Sequence, residues 1–179
     1  NHLAEALGAK VRQPVWSIGL NGGSTVEDIV GQPLFINGST VWVDGVLTYA
    51  MRHGGIIVLD EVNACPNEIT FILHQILDNR RSLTLVQKGR EVVRAHRNFF
   101  VVGTMNPDYR GTKPLNEAFK DRFHVPLELD YDDKVEKKLI PDEKIRELAG
   151  KLRKMFKAGE LDSPCSTRML LDYIENKEL

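Results

Sequence analysis

Two uninterrupted apolar runs stand out along the chain, at residues 56–59 and 99–102. Neither run alternates with polar residues, which is typical of strands buried on both faces of a parallel sheet. Residues 14–20 are also predicted to form a strand. Strands of this kind are joined by helices, so the pattern favours an α/β architecture with a parallel, three-layer sheet.

The spacing of apolar residues predicts helices between these strands. Between Ile69 and Leu77 they recur at the three- and four-residue spacing of one helix face, and Pro66 suits the first helical position before them. Residues 2–7 have the pattern of the last turns of another helix, with Gly8 as its C-cap. Shorter helices are predicted over residues 26–30, capped by Ser24 or Thr25, and over 47–52 and 115–120, and a short strand is predicted over 125–129.

Turn-forming residues interrupt two further apolar segments. Residues 31–45 alternate turn residues with apolar ones, which predicts an irregular or hairpin segment. Residues 82–96 predict two short strands around Lys88 and Gly89, and therefore a hairpin.

The character of the chain changes near Asp130. Residues 134–156 are charged and helix-forming with an interruption near Pro141, and residues 166–174 predict another helix. We therefore expect an α/β core over residues 1–129 and a small helical domain, itself incomplete, over residues 130–179.

Composition excludes some classes of protein. The formal net charge is −1 and the sequence pI is about 6.6, so bulk attraction to nucleic acid or to an anionic membrane is not indicated. No apolar run approaches the roughly 20 residues that span a bilayer. The cysteines and histidines match no metal-ligand spacing. A cytoplasmic protein is the expectation.

Asp60 and Glu61 are the first candidate functional residues, because they follow an apolar strand directly. Ligands of parallel α/β sheets bind beyond the carboxyl ends of the strands. Two adjacent carboxylates there can divide the work of phosphoryl transfer, one holding Mg²⁺ or its waters and the other orienting and deprotonating the attacking water. The alternative is an ordinary acidic pair that opens a loop.

Three polar residues later in the chain are further candidates for contacts with a phosphate or its attacking water. Asn106 follows the strand at 99–102, and its amide could position a water or a phosphate oxygen. Arg122 follows a predicted short helix, and Arg168 lies at the start of the last predicted helix; a guanidinium suits phosphate oxygens at either place. Alone, each has an ordinary interpretation, as a turn residue or as a surface arginine.

The order of these residues resembles the AAA+ ATPase superfamily over essentially the whole chain. The resemblance is sharpest to its MoxR-like branch, which includes the activator ATPases of Rubisco and nitric oxide reductase and the ATPase subunit of cobaltochelatase. The matching stretches are residues 28–31, 42–47, 50–55 and 109–112, the last of them before Leu115.

The resemblance implies a role for each candidate. Asp60 would be the carboxylate on the Mg²⁺ side and Glu61 the general base, the two together forming the Walker B pair. Asn106 would be sensor 1, Arg122 an arginine finger acting on a neighbouring subunit's nucleotide, and Arg168 sensor 2. ATP and Mg²⁺ would be the cofactors, and the chain would work in a ring, with a hexamer expected.

Partner contacts are also implied by the resemblance. Residues 38–45 would face the pore of the ring, with Trp42 as the most exposed candidate for gripping a partner. Lys88 and Arg90 would lie at the tip of a hairpin that contacts the remodelled partner in relatives. The alternatives stay open at this point: Trp42 as a packing residue, and the hairpin tip as an ordinary solvated turn.

One motif of the family has no counterpart here. The phosphate-binding loop, Gly-x-x-x-x-Gly-Lys-Ser/Thr, does not occur in the sequence. We expect it just upstream of Asn1, since residues 2–7 correspond to the tail of the helix that follows it. The fragment by itself is expected to bind ATP weakly and to be inactive.

The sequence therefore predicts an ATP-hydrolysing ring subunit that remodels or activates a partner protein, with a metalloenzyme as a candidate client. Three alternatives remain at this point. They are an ATP- or GTP-driven motor acting on nucleic acid, a non-catalytic ring or adaptor protein, and a GTP-dependent relative.

Overall fold

The computed structural model describes residues 2–106, 115 and 117–177, so the predicted family stretch at 109–112 lies outside the described residues. The chain divides into two compact units, residues 1–124 and 125–179. The elements are α1 (His2–Val11), β1 (Val15–Gly19), α2 (Val26–Val30), β2 (Gly31–Ile36), β3 (Ser39–Asp44), α3 (Val46–His53), β4 (Gly55–Asp60), α4 (Asn67–Leu77), β5 (Ser82–Leu85), β6 (Glu91–Arg94), β7 (Phe99–Gly103), α5 (Glu117–Lys120), α6 (Asp133–Leu139), α7 (Glu143–Lys157) and α8 (Thr167–Lys177).

A parallel sheet of three strands, in the order β1-β4-β7, forms the centre of the first unit. Gly19 pairs with Asp60 across β1 and β4, and Leu59 pairs with Gly103 across β4 and β7. The strands predicted at residues 14–20, 56–59 and 99–102 are confirmed. All three carboxyl ends therefore lie at one edge of the sheet.

Helices and hairpins cover both faces of this sheet. Ile57 and Leu59 face a core of residues from α3, α4 and the hairpins, whereas Ile56 and Val58 face Ala4 of α1. Because consecutive residues of a strand point to opposite faces and both faces are covered, the four residues 56–59 of β4 are all apolar. The predicted α/β class with a three-layer parallel sheet, consistent with a P-loop NTPase fold, is confirmed.

Helix α1 does not end where the sequence indicated. Gly8 is not its C-cap but a buried residue of its interior, and the helix continues to Val11. A Cβ at Gly8 would come within 2.2 Å of a Val15 methyl carbon, so the glycine lets the helix lie close to β1. The glycine therefore reports close packing rather than chain termination.

Other predicted elements in this unit stand with small changes. Thr25 caps α2 through a reciprocal capping box with Asp28. Pro66 is the N-cap of α4 rather than its first residue. The predicted helix at 115–120 is shorter, because α5 begins at Glu117.

Two antiparallel hairpins complete the first unit. In β2–β3, Pro33 pairs with Trp42 and Ile36 with Ser39. In β5–β6, Ser82 pairs with Arg94. Both predicted hairpins are confirmed, and a single turn of 3-10 helix, Val86–Lys88, lies between β5 and β6.

The second unit is helical. Asp132 caps α6 and Asp142 caps α7, each by accepting backbone N–H groups of the first turn. The strand predicted at 125–129 was wrong: these residues are exposed and form no strand. Their apolar pattern has no neighbouring strand in the described residues to supply backbone hydrogen bonds.

Candidate functional site

Asp60 and Glu61 lie where β4 leaves the sheet. Asp60 is the last residue of the strand and is half-buried, while Glu61 is exposed. Glu61 has φ of 58°, in the left-handed region that non-glycine residues rarely adopt. Such a conformation persists only when the surrounding structure holds it, and it turns the chain sharply just beyond the strand.

Thr104 holds this turn from the neighbouring strand. Its hydroxyl donates to Asp60 Oδ1 at 2.7 Å. Its backbone N–H donates to the carbonyl of Leu59 at 2.9 Å, and its own carbonyl accepts from Val62 N–H at 3.0 Å. The parallel pairing of β4 and β7 thus continues past Gly103 into the loops.

Asn63 makes a second bridge between these loops. Its Nδ2 donates to the backbone carbonyl of Asn106 at 3.2 Å. Asn63 is only 6% exposed, and its Oδ1 is buried with no hydrogen-bond partner among the described residues. Leaving such an acceptor unpaired costs about 1–3 kcal/mol.

The structure therefore brings three of the predicted residues, Asp60, Glu61 and Asn106, to one edge of the sheet. Sequence reasoning missed Thr104 and Asn63, which connect them. Thr104 could have been found, because it follows β7 at the position where Asp60 ends β4. Asn63 carried no signal, since an asparagine in a loop has many ordinary roles.

Arg122 lies just after α5. Its Nη1 donates to the carbonyl of Ala118, four residues earlier in α5. Burial, and then the positive charge of Arg122, lower the pKa of His74 on α4. His74 in turn contacts the ring of Phe119 edge-on at 5.1 Å between centroids. Among the described residues, Arg122 thus bonds to α5, and its charge acts on His74 of α4.

Arg168 lies in the second unit, in the first turn of α8, and its side chain is exposed. The residue before it, Thr167, donates its hydroxyl to the carboxylate of Glu136. Glu136 is buried and also accepts two hydrogen bonds from Arg153, at 2.7 and 2.9 Å. The start of α8 is therefore fixed to α6 and α7 by a buried ion pair.

Trp42 is half-buried, and its ring packs against the core of the first unit. Its Nε1 donates to Asp44 Oδ1 at 2.7 Å. Phe35, at 77% exposure, is the large apolar side chain of this hairpin that is most open to solvent. Trp42 is therefore not the most exposed residue here, although its contact with a partner stays a prediction.

A chain of ion pairs links this hairpin to the next one. Arg52 of α3 contacts Asp44 at 2.8 Å and Glu91 at 2.6 Å. Glu91 also contacts Lys88 at 3.0 Å. Hydrogen bonds from Arg52 and then Lys88 lower the pKa of Glu91 to about 2. Lys88 is thus paired, whereas Arg90 is exposed, with a positive φ of 62°.

The oxygen atoms at the end of β4 would fit a magnesium ion whose other ligands include phosphate oxygens. No group of three or more His, Cys, Asp or Glu side chains that could enclose a metal is found in the described part of the chain. Mg²⁺ does not need one, because it commonly takes one or two carboxylates and completes its shell with waters and phosphate oxygens. Asp60, held by Thr104, suits that role.

Comparison with known proteins gives consistent matches. Residues 1–123 match the family model described as AAA domain, dynein-related subfamily. Protein NorQ of Paracoccus denitrificans is 32% identical over 95% of this chain and 64% of its own length. Protein CbbQ of Hydrogenophilus thermoluteolus is 35% identical over 96% of this chain and 67% of its own. The chain thus spans about two thirds of the length of these relatives.

A solved structure supports the fold. A proposed ATPase from Cytophaga hutchinsonii superposes with a TM-score of 0.58 and 23% identity, covering 79% of this chain and 44% of that one. Among the described residues, no helix has the length and apolar character needed to cross a bilayer.

Proposed function

This chain belongs to the AAA domain family, in its dynein-related subfamily, and we propose that it hydrolyses ATP as the subunit of a ring that remodels or activates a partner protein. The resemblance to AAA+ ATPases of the MoxR-like branch is confirmed by the family match and by the two bacterial relatives. Hydrolysis by this protein, its ring and its client are parts of the proposal.

One observation carries the proposal. Asp60, Glu61 and Asn106 leave neighbouring parallel strands at the same edge, and hydrogen bonds through Thr104 and Asn63 join their loops. A base and a polar positioning group held together at such an edge is what in-line attack of water on a phosphate requires.

The roles follow from chemistry and position. Glu61, exposed at the turn, accepts the proton of the attacking water. Asn106 orients that water or a γ-phosphate oxygen through its amide. Asp60 would hold Mg²⁺, directly or through water, and the ion would neutralise charge on the phosphates. The sequence contains no Gly-x-x-x-x-Gly-Lys-Ser/Thr motif, so the proposal concerns the protein at its full natural length.

Two arginines would complete the site. Arg122 would act on the nucleotide of a neighbouring subunit, which is why the proposal includes a ring, with six subunits as the expected number. Its guanidinium donates to the carbonyl of Ala118 here, and this hydrogen bond would have to open for Arg122 to reach a neighbour. Arg168 would sense the γ-phosphate from the start of α8, where Thr167 donates to Glu136, which is itself held by Arg153.

The two hairpins are the proposed client-binding elements, with a metalloenzyme as a candidate client in a cytoplasmic setting. The β2–β3 hairpin exposes Phe35 together with several aliphatic side chains, and Trp42 packs beneath it. The β5–β6 hairpin contributes Lys88 and Arg90 near its tip. An apolar surface beside a basic one suits a protein client.

A nucleic-acid client is the second candidate. Residues 78–97 contain six Lys or Arg and two Asp or Glu, although the whole chain has a net charge of −1. A local basic surface of this kind binds phosphate backbones with a strong dependence on salt. Binding to single- and double-stranded DNA and to RNA across a salt series therefore separates the two clients.

The proposal is tested by ATP turnover of the full-length protein with Mg²⁺ across a range of protein concentrations. Wild type should turn over more per subunit as concentration rises. Glu61→Gln and Arg122→Ala should each lose at least about tenfold, roughly 1.4 kcal/mol of barrier. Glu68→Gln, on the exposed first turn of α4, and Arg94→Ala, on exposed β6, are matched controls that should keep wild-type turnover.

Two outcomes would contradict the proposal. If wild type binds ATP without turnover, the non-catalytic adaptor becomes the better description. If Glu61→Gln keeps wild-type turnover, Glu61 is not the base. A comparison of ATP with GTP as substrate in the same assay identifies the nucleotide.

A further inference from the structure

The loops after β4 and β7 are joined by more hydrogen bonds than the sheet requires. Beyond the last paired residues, Thr104 makes three bonds, to Leu59, Asp60 and Val62, at 2.7 to 3.0 Å. Asn63 adds the fourth, to the carbonyl of Asn106. Segments 60–63 and 104–106 are thus cross-linked at both ends.

Glu61 lies in the middle of this cross-linked segment. Its left-handed backbone, φ 58°, is a strained conformation for a glutamate. Val62 and Asn63, the next two residues, are both buried and both bonded to the opposite loop. The bonds of Thr104 and Asn63 therefore maintain the conformation that presents the Glu61 carboxylate.

Asn63 is a poor choice for stability alone. Its Oδ1 is buried without a partner among the described residues, so the side chain carries a penalty that an apolar residue of similar size would avoid. What an apolar residue could not do is donate to Asn106. Among the described residues, the one polar contact of the Asn63 side chain is therefore its bond to Asn106, which fixes the loop after β7.

We propose that Asn63 and Thr104 are positioning residues for hydrolysis: together they set the placement of Asn106 and Asp60 relative to Glu61. This inference rests on the proposed ATPase activity. Neither residue touches the reacting atoms in the proposal. Each acts through a neighbour, Thr104 through the Asp60 carboxylate and Asn63 through the backbone of Asn106.

The first test is Asn63→Leu in the full-length protein. This variant removes both the unpaired Oδ1 and the bond to Asn106, so the Tm should stay at or above that of wild type. The kcat should fall at least tenfold, while the Kd for a fluorescent ATP analogue stays within twofold. A structural role would lower the Tm and kcat together. Asn63→Ala serves as a second variant if leucine does not fit.

A double-mutant comparison tests the route through Asn106. If Asn63 acts by placing Asn106, then Asn63→Leu should lower kcat less than twofold in the Asn106→Ala background. Thr104→Val should lower kcat in the same way as Asn63→Leu, with unchanged nucleotide affinity. Thr70→Val, which removes a half-buried hydroxyl of α4 that bonds Pro66, is the matched control and should keep kcat.

Hydrogen exchange keeps this inference separate from the proposed function, because it needs no turnover. In Asn63→Leu, amides of residues 104–106 should exchange at least threefold faster than in wild type, with exchange of α4 unchanged. The inference would be overturned if exchange in residues 104–106 or kcat were unchanged in Asn63→Leu. It would also be overturned if the fold-loss in kcat of the double mutant equalled the product of the losses of Asn63→Leu and Asn106→Ala. Absence of wild-type turnover would instead overturn the proposed activity and leave the exchange result to decide the positioning.

Discussion

Arg52 Nη1 lies 2.6 Å from Glu91 Oε1, and this contact joins helix α3 to the β5–β6 hairpin. The same guanidinium donates through Nε to Asp44 at the end of β3. One side chain therefore connects two hairpins that are 47 residues apart in sequence when counted from Asp44 to Glu91. The two elements proposed to contact the client are held by a shared ion pair.

Replacing Arg52 with methionine should destabilise the first unit. The substitution keeps most of the aliphatic volume but leaves Asp44 and Glu91 without their shared cation. Removing one partner of a partly buried ion pair destabilises the protein. The Tm should fall by a few degrees, measured by calorimetry. Arg94→Met, on the exposed face of β6, should leave the Tm unchanged; an equal fall in both variants would contradict the prediction.

The stability contribution of Glu91 should depend on pH in the acid range. Hydrogen bonds from Arg52 and Lys88 lower the pKa of Glu91 to about 2, below its ordinary value of 4.5. A carboxyl with a depressed folded-state pKa contributes stability above its unfolded pKa, and loses it as pH falls through the folded value. The contribution should therefore be complete above about pH 5 and decline between pH 4.5 and 2.

Chemical denaturation at several pH values checks this. Wild type should be more stable than Glu91→Gln at pH 7, and the difference should shrink towards pH 2. A constant difference between wild type and Glu91→Gln at all pH values would contradict the assignment.

In the second unit, Arg153→Met should be strongly destabilising. The Glu136 carboxylate is buried at 4% exposure and is held by Arg153 and Thr167. Removing one partner of a buried ion pair leaves an uncompensated charge and costs about 3 kcal/mol. Denaturant unfolding should show this loss of stability, and the amide hydrogens of α6 to α8 should exchange faster. Lys154→Met, at the exposed next position, should show neither change.

Gly45→Ala should destabilise the β2–β3 hairpin. A Cβ at Gly45 would lie 2.4 Å from backbone atoms of Ile29, and backbone cannot move aside as a side-chain tip can. We expect a loss of about 2 kcal/mol, in the range of overpacking substitutions. Gly22→Ala, where a Cβ meets no atom within 4 Å, is the control, and its stability in a thermal melt should match wild type.

The fold was largely predictable from local patterns. Uninterrupted apolar runs at β4 and β7 correctly indicated parallel strands, and β4 is buried on both faces as expected. For β7 the expected burial on both faces was wrong: it is an edge strand of the described sheet, and Phe100 is 55% exposed. The cap of α2 was predictable as Ser24 or Thr25, since a capping hydroxyl acts within three residues, and the structure shows that it is Thr25. Gly8 was misjudged because a glycine packed against another element looks like a helix cap in sequence. Residues 125–129 were misjudged because their apolar pattern is that of a strand even though no strand pairs with them among the described residues.

In the first unit the sequence by itself determined the order of strands and helices, because the spacing of apolar residues is a local property. It also indicated the family and the polar residues that follow two of the strands, Asp60 with Glu61 and Asn106. Tertiary structure alone decided how those ends are connected. Asn63 and Asn106 are 43 residues apart in sequence, and Arg52 and Glu91 are 39 residues apart. Nothing in the local sequence relates either pair. A hydrogen bond forms only when donor and acceptor lie within a few tenths of an ångström of their preferred separation. Only the packing of the whole sheet and its helices sets that separation.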